Sequence, residues 1–227
     1  MQTESDELIE KYLEKVLSVN KKINLTRITE SSDAHLLHLE DSLSVLEELN
    51  AAPQGRYGDL GSGGGFPGVP LGITSKRQTV LIDSVKKKMA AVKEILDTLG
   101  LSDKITTYDG RIEELAIEQP ETFAVLTARA LSSLDSLVEL ASPLLQMNGQ
   151  LICLKAQIDE KEIKRAQNIE GMTGMRLISS REFILSDQNT FRTVLVFEKI
   201  NKPSVTLPRR IGLAQKSPLK PKPPSSS

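Results

Sequence analysis

Apolar side chains recur at helical spacing in two stretches within the first fifty residues. The first stretch contains Leu8, Ile9, Tyr12, Leu13, Val16 and Leu17, and the second contains Leu36, Leu39, Leu43 and Leu46. Positions three and four apart lie on one face of an α-helix. The polar connection Asn24–Arg27 separates the two stretches. This pattern predicts a helical N-terminal extension over residues 1–50 that packs on the rest of the chain.

From residue 56 onward, short apolar runs alternate with longer amphipathic stretches. The candidate strands are Arg56–Gly61, Gln78–Asp83, Lys104–Tyr108, Phe123–Ala128, Gln150–Ala156, Met175–Ser179 and Phe191–Glu198. Such alternation is typical of βαβ units, in which helices connect parallel strands. Only the short link Ser186–Thr190 precedes the last strand, and a parallel crossover needs a dozen or more residues. We therefore predict an α/β domain over residues 51–200, with a mostly parallel seven-stranded sheet and one antiparallel strand.

Composition places the chain in an ordinary globular class. Its 227 residues are 39% apolar and 26% charged. A chain of this length and composition can bury one sizeable core without disulfides or structural metals. The one cysteine, Cys153, lies in an apolar run and is expected to be buried filler in a reducing compartment. No stretch approaches the roughly 20 apolar residues of a membrane helix, and the acidic N-terminus is unlike a signal peptide. We expect a cytoplasmic protein, with a monomer as the default.

The net charge of −1 conceals an asymmetry along the chain. Residues 201–227 form a Pro- and Lys-rich tail that carries six basic residues and no acid, so residues 1–200 carry −7. We expect most of this tail to remain unfolded. Because the tail is basic and the body is acidic, the small net charge does not exclude a polyanionic partner.

A glycine-rich turn follows the first candidate strand, as a nucleotide-binding turn requires. Gly63, Gly65 and Gly68 spell the dinucleotide fingerprint G-x-G-x-x-G. Asp59, Gly61, Gly63 and Gly65 spell D-x-G-x-G-x-G, the form in which an adenosyl sulfonium lies over the backbone. Asp83 ends the next strand, at about the distance where an acid meets ribose hydroxyls. The acid before the glycines favours the methyltransferase form, and a nicotinamide-dependent oxidoreductase remains the competing interpretation.

Several motifs occur in order along the chain. They are Asn24-Leu25-Thr26, His38 to Leu43 (H-x-x-D-S-L), Asp59 to Leu71 (DLGSGGGFPGVPL), Asp83-Ser84 with Lys87-Lys88, Gly110 to Glu113 (GRIE), Thr127 to Ala130 (TARA), Leu154-Lys155-Ala156 and Pro208-Arg209-Arg210. Together they resemble the motifs of the bacterial glucose-inhibited division protein B family, whose members are S-adenosylmethionine-dependent guanine-N7 methyltransferases of small-subunit ribosomal RNA. Ala156 departs from the glycine of the family motif.

The resemblance implies a Rossmann-like methyltransferase fold, S-adenosylmethionine as cofactor, and a set of site residues. The implied cofactor-binding residues are Asp59, Gly61, Gly63, Gly65, Phe66, Asp83 (ribose), Ile112 and Glu113 (adenine), and Arg129 on the substrate side. Arg129, Arg111 and Lys155 are implied to position the substrate, and we expect them to form a basic patch at the cofactor mouth. The implied partner is ribosomal RNA or a small-subunit precursor, without a metal or a membrane.

Guanine N7 has a free lone pair and no proton to lose, so its methylation needs alignment rather than a general base. The three basic residues are therefore interpreted as positioning groups. His35 and His38, three apart on a leucine-rich helix, are expected to be structural. A third hypothesis is a non-catalytic RNA-binding module that retains the pocket.

Overall fold

The computed structural model describes residues 3–26, 28 and 31–221, and its centre is one seven-stranded sheet. The strands are β1 (Tyr57–Leu60), β2 (Thr79–Ile82), β3 (Ile105–Tyr108), β4 (Phe123–Arg129), β5 (Leu145–Lys155), β6 (Met175–Ile184) and β7 (Phe191–Lys199). Their order across the sheet is β3-β2-β1-β4-β5-β7-β6. Strands β1 to β5 pair in parallel, and β7 runs antiparallel to both of its neighbours. The predicted mostly parallel sheet with one antiparallel strand is confirmed.

Helices flank the sheet. They are α1 (Glu4–Asn20), α2 (Ser31–Ala34), a π-helical stretch (His35–Glu40), α3 (Asp41–Leu43), α4 (Leu46–Ala51), α5 (Gly68–Ser75), α6 (Lys86–Thr98), α7 (Ile112–Glu118), α8 (Leu134–Ala141), α9 (Glu160–Asn168), α10 (Glu170–Thr173) and α11 (Leu213–Lys216). Among the described residues, no helix is both long and apolar enough to cross a membrane.

The N-terminal helices share a core with the first half of the sheet. Ile9, Tyr12 and Val16 of α1 are buried in one cluster with Val69 of α5 and Val92 of α6. The Tyr12 hydroxyl also donates to the Gly64 carbonyl at 2.9 Å. Helix α1 therefore supports the glycine-rich turn from beneath.

The strands at the far edge are longer than the apolar runs predict. Strand β5 begins at Leu145 rather than Gln150, and β6 extends to Ile184 rather than Ser179. Both added stretches mix polar with apolar side chains and are partly exposed, as suits a strand end or an edge strand that has one solvated side. Apolar patterning therefore found the buried part of each strand and missed the solvated part.

The expectation of an unfolded tail is wrong for residues 201–221. The guanidinium of Arg209 forms two contacts with the buried Glu139 carboxylate of α8, at 2.6 and 2.7 Å. Ser136 donates its hydroxyl to the carbonyl of Ala214, which is itself buried. Since a buried carboxylate needs a counter-charge, Glu139 holds this segment on the body. Residues 208–219 are called the C-terminal segment below.

Candidate active site

The glycine-rich turn connects β1 to α5 at the carboxyl end of the sheet. Gly61 has φ +73°, and its N–H donates to the Ile82 carbonyl of β2 at 2.8 Å. The Ser62 hydroxyl donates to the Asp59 carbonyl and accepts from the Ile82 N–H. These bonds fix the turn to two neighbouring strands, at the position where ligands bind in open α/β sheets.

Asp59 lies beneath the turn, fully buried. One carboxylate oxygen accepts from the Thr127 hydroxyl at 2.7 Å, and the other accepts from the Gly68 N–H at 3.0 Å. Burial raises the pKa of Asp59 to about 6, while the bond from Thr127 opposes this shift. The structure therefore places Asp59 as a brace between β1, β4 and α5, away from the cavity surface.

A first cavity, the loop cavity, opens beside the turn and gathers four of the predicted cofactor residues. Its lining comprises Gly61, Ile82, Asp83, Ser84, Gly110, Arg111, Ile112, Glu113, Leu131, Leu140 and Gln215. The Asp83 carboxylate accepts from the N–H groups of Gly63 and Val85, at 3.0 and 2.8 Å. A carboxylate has about four acceptor positions, so Asp83 retains capacity for further hydroxyl donors.

Gly65 and Phe66 face the N-terminal helices instead. A Cβ on Gly65 would lie 2.1 Å from the Tyr12 hydroxyl, and Gly65 has φ +85°. The ring of Phe66 stacks on His38 with centroids 4.3 Å apart and meets Tyr12 edge to face. Both residues therefore hold the turn against α1 and the π-helical stretch.

A second cavity, the basic cavity, has a volume of about 350 Å³ and contains Arg129 and Lys155. Its lining comprises Ile28, Leu37, Asp41, Arg129, Ala130, Leu154, Lys155, Ala156 and Arg192. Arg129 donates to the Leu37 carbonyl at 2.8 Å and to Asp41 at 2.9 Å. Lys155 donates to the Ser132 carbonyl and pairs with Glu162 at 2.8 Å. Two of the three predicted positioning residues are therefore together, whereas Arg111 lies at the loop cavity.

Two charged residues of the basic cavity, Asp41 and Arg192, were not predicted as site residues. Arg192 pairs with one oxygen of Asp41 at 2.7 Å, and Arg129 pairs with the other. One nearly buried carboxylate thus joins two guanidiniums, which leaves a net positive charge. Asp41 is the acid of the H-x-x-D-S-L motif, which by itself implies no role for this residue. Arg192 could have been found from topology, because an antiparallel β7 brings its start beside Lys155 at the end of β5.

Two other titratable side chains, His38 and Cys153, are buried in the fold. His38 is buried and bonded to the Thr26 hydroxyl at 2.9 Å, and burial, aided by Arg129, lowers its pKa to about 4. His38 is therefore neutral at physiological pH and packs as a structural ring. Burial raises the pKa of the Cys153 thiol to about 12. Residues 3–26, 28 and 31–221 contain no cluster of three metal-ligating side chains.

The sheet order and the glycine-rich turn at its carboxyl end define a Rossmann-like methyltransferase fold. Solved structures agree: a Bacillus cereus O-methyltransferase in complex with SAH has a TM-score of 0.58 at 16% identity and covers 83% of this chain and 90% of its own. Cofactor-bound Rv0187 from MTB has a TM-score of 0.59 at 14% identity and covers 89% and 100%.

Sequence similarity establishes the family of this chain. The profile described as rRNA small subunit methyltransferase G matches residues 5–190. "Ribosomal RNA small subunit methyltransferase G" of Alkaliphilus metalliredigens is 34% identical over 92% of this chain and 88% of its own length, and that of Oenococcus oeni is 35% identical over 93% and 88%. The chain belongs to this ribosomal RNA methyltransferase family, whose cofactor is S-adenosylmethionine.

The side chains that line the loop cavity have the chemistry that an adenosyl group requires. Asp83 offers acceptor positions for ribose hydroxyls, while Ile82, Ile112 and Leu131 offer apolar surface for the faces of an adenine ring. Glu113, nearly buried on α7, adds a second carboxylate at the same cavity. The residues present therefore fit the cofactor of the family.

Proposed function

We propose that this protein methylates N7 of a guanine in small-subunit ribosomal RNA by direct in-line transfer, without a general base. Bound S-adenosylmethionine would supply an electrophilic methyl group. Gly61, Asp83, Ile112 and Glu113 would hold its adenosyl part at the loop cavity. The target guanine would enter from the basic cavity.

The observation that carries this proposal is the state of Asp41, the carboxylate that lines the basic cavity. Both of its oxygens are bonded to arginines, and its side chain is only 3% exposed. Each carboxylate oxygen already accepts a charge-assisted hydrogen bond from a guanidinium, so neither oxygen is left unbonded to take up a substrate proton. Methylation at an exocyclic amine requires proton removal, whereas N7 methylation does not. Among the described residues, Asp41 is the one acid that lines this arginine-rich cavity, and its pairing with two arginines favours N7.

Arg129 and Lys155 would position the RNA rather than act on protons. One terminal guanidinium nitrogen of Arg129 is bonded to Leu37 and Asp41, and its other N–H groups can donate to guanine O6 or to a phosphate oxygen. Base pairing in an RNA helix places N7 in a deep, narrow groove, so the target guanine should lie in a loop or an opened region.

A chemical substitution in the RNA tests the position directly. Small-subunit RNA is transcribed with 7-deazaguanine, in which C–H replaces N7, and methyl incorporation is measured beside unmodified RNA. We expect incorporation to vanish while RNA affinity stays within about twofold. Incorporation that persists would place the methyl group elsewhere. An unchanged methylation pattern in ribosomal RNA from a deletion strain would instead favour the non-catalytic RNA-binding module.

Arg129→Ala tests the cavity. We expect methylation to fall by a factor of 100 or more, as happens when a substrate is misplaced by about 1 Å, while circular dichroism shows the same fold. Arg176→Ala is the matched control. Arg176 lies on β6, its side chain is 54% exposed, and it pairs with Glu170 of α10. Equal activity of the two variants would show that Arg129 has no role in methylation.

A further inference from the structure

The C-terminal segment reaches the loop cavity from more than 70 residues away along the chain. The Gly212 N–H donates to Oε1 of Glu113 at 2.7 Å. Three residues later, Gln215 lines the same cavity as Asp83, Ile112 and Glu113. These residues are the ones assigned to the ribose and adenine of the cofactor, so the segment lies at the adenosyl end of the cavity.

The segment is anchored by the buried carboxylate of Glu139. Arg209 pairs with both oxygens of Glu139, and the Leu219 N–H donates to one of them at 3.2 Å. The Ala214 carbonyl accepts from Ser136 at 2.8 Å, and Ala214 is 3% exposed. Anchors before, within and after the cavity contact hold Gln215 in place.

The charge of Arg209 is therefore used inside the protein. Its guanidinium neutralises an acid of α8, and its remaining polar contact is with the Ser217 carbonyl of the same segment. A phosphate-binding arginine would need a free fork of donors. The placement of this residue points to a role at the cavity rather than on RNA.

We propose that the C-terminal segment completes the adenine end of the cofactor pocket and that the Gln215 side-chain amide hydrogen-bonds to the adenine edge. A carboxamide presents a donor beside an acceptor, which matches the amino group and ring nitrogen that adenine presents side by side. The Gly212 bond orients Glu113 at the same end. This inference rests on the proposed function, since its ligand is the cofactor.

Truncation tests the segment as a whole. S-adenosylhomocysteine is titrated by calorimetry into the full chain, a chain ending at Leu207 and a control chain ending at Lys220. The chain ending at Leu207 also carries Glu139→Gln, so that the buried carboxylate of Glu139 does not lose its arginine partner. We expect the control to bind within twofold of the full chain and the chain ending at Leu207 to bind at least tenfold more weakly. Equal affinity in all three would overturn the proposal.

Gln215→Leu tests the adenine contact without removing the segment, because Gln215 is exposed and the change keeps its volume. The ligands are S-adenosylhomocysteine and its analogue with hydrogen in place of the 6-amino group. We expect Gln215→Leu to weaken S-adenosylhomocysteine several-fold and the analogue much less. Gln167→Leu, at an exposed position on α9, should change neither. If Gln215→Leu binds both ligands as the unmodified protein does, Gln215 does not contact adenine. Failure of the full chain to bind S-adenosylhomocysteine at all would instead refute the proposed function.

Discussion

The carboxyl group of Asp59 gives stability a pH dependence that one substitution can isolate. Burial raises its pKa from the ordinary 3.8 to about 6, despite the opposing effects of Thr127 and Arg129. Between these two pH values the unfolded chain has released the proton while the folded chain retains it. The contribution of Asp59 to the free energy of unfolding is therefore largest at low pH and falls as the pH rises through this window.

The magnitude follows from the separation of the two pKa values. A separation of about two corresponds to about 3 kcal/mol, lost by about pH 7. Asparagine does not ionise, and its amide oxygen can still accept from the Gly68 N–H. Its NH₂ group can donate to Thr127, which then donates to the Tyr57 hydroxyl instead of accepting from it. The Tyr57 proton loses its partner, at a cost of about 1 kcal/mol.

The assay is urea unfolding of the unmodified chain and Asp59→Asn at pH 4, 5, 6 and 7. We expect Asp59→Asn to be slightly less stable at pH 4 and to gain about 2–3 kcal/mol relative to the unmodified chain by pH 7. Asp103→Asn, at an exposed position, is the control and should show a flat difference. A flat difference for Asp59→Asn as well would mean that Asp59 titrates normally, and the reasoning from burial would fail.

Two further predictions concern stability. Arg209→Ala leaves Glu139 buried with one backbone donor, so we expect a loss of about 2–3 kcal/mol in denaturant unfolding, and full stability would show that the ion pair contributes nothing. Gly65→Ala forces a Cβ against the Tyr12 hydroxyl and should cost about 3 kcal/mol, whereas Gly63→Ala, with nothing nearer than 3.9 Å, should cost about 1 kcal/mol. Equal losses for the two glycine variants would contradict the assigned contact.

The core of the fold was predictable because burial leaves a direct trace in sequence. Strand β4 is buried over Phe123–Ala128, and its sequence is apolar there except at Thr127, as is typical of central parallel strands. The start of β5 was missed because Asn148 adopts φ +64° and both Asn148 and Met147 are exposed, so the strand has no regular apolar pattern there. Patterning reports which side chains avoid water, and hydrogen-bonded backbone at a solvated edge leaves no such trace.

The site was predictable only where its residues lie close together in sequence. Gly61 and Asp83 share the loop cavity as the turn and the strand spacing indicate. The joining of Arg129 to Arg192 through Asp41 depends on residues up to 151 positions apart. Arg209 likewise belongs to a basic tail in the sequence, but in the structure it forms an ion pair with Glu139. Charge counted along the chain does not show which charges are already paired.

The position of β7 has a consequence for how the molecule is made. This strand lies between β5 and β6, although it follows both in the chain. Until residues 191–199 are synthesised, β6 lacks its partner and one edge of β5 is unpaired, and such edges invite association with other chains. Arg192 also reaches the basic cavity only when β7 is inserted. A nascent chain that has not yet released residues 191–199 therefore cannot have a complete basic cavity.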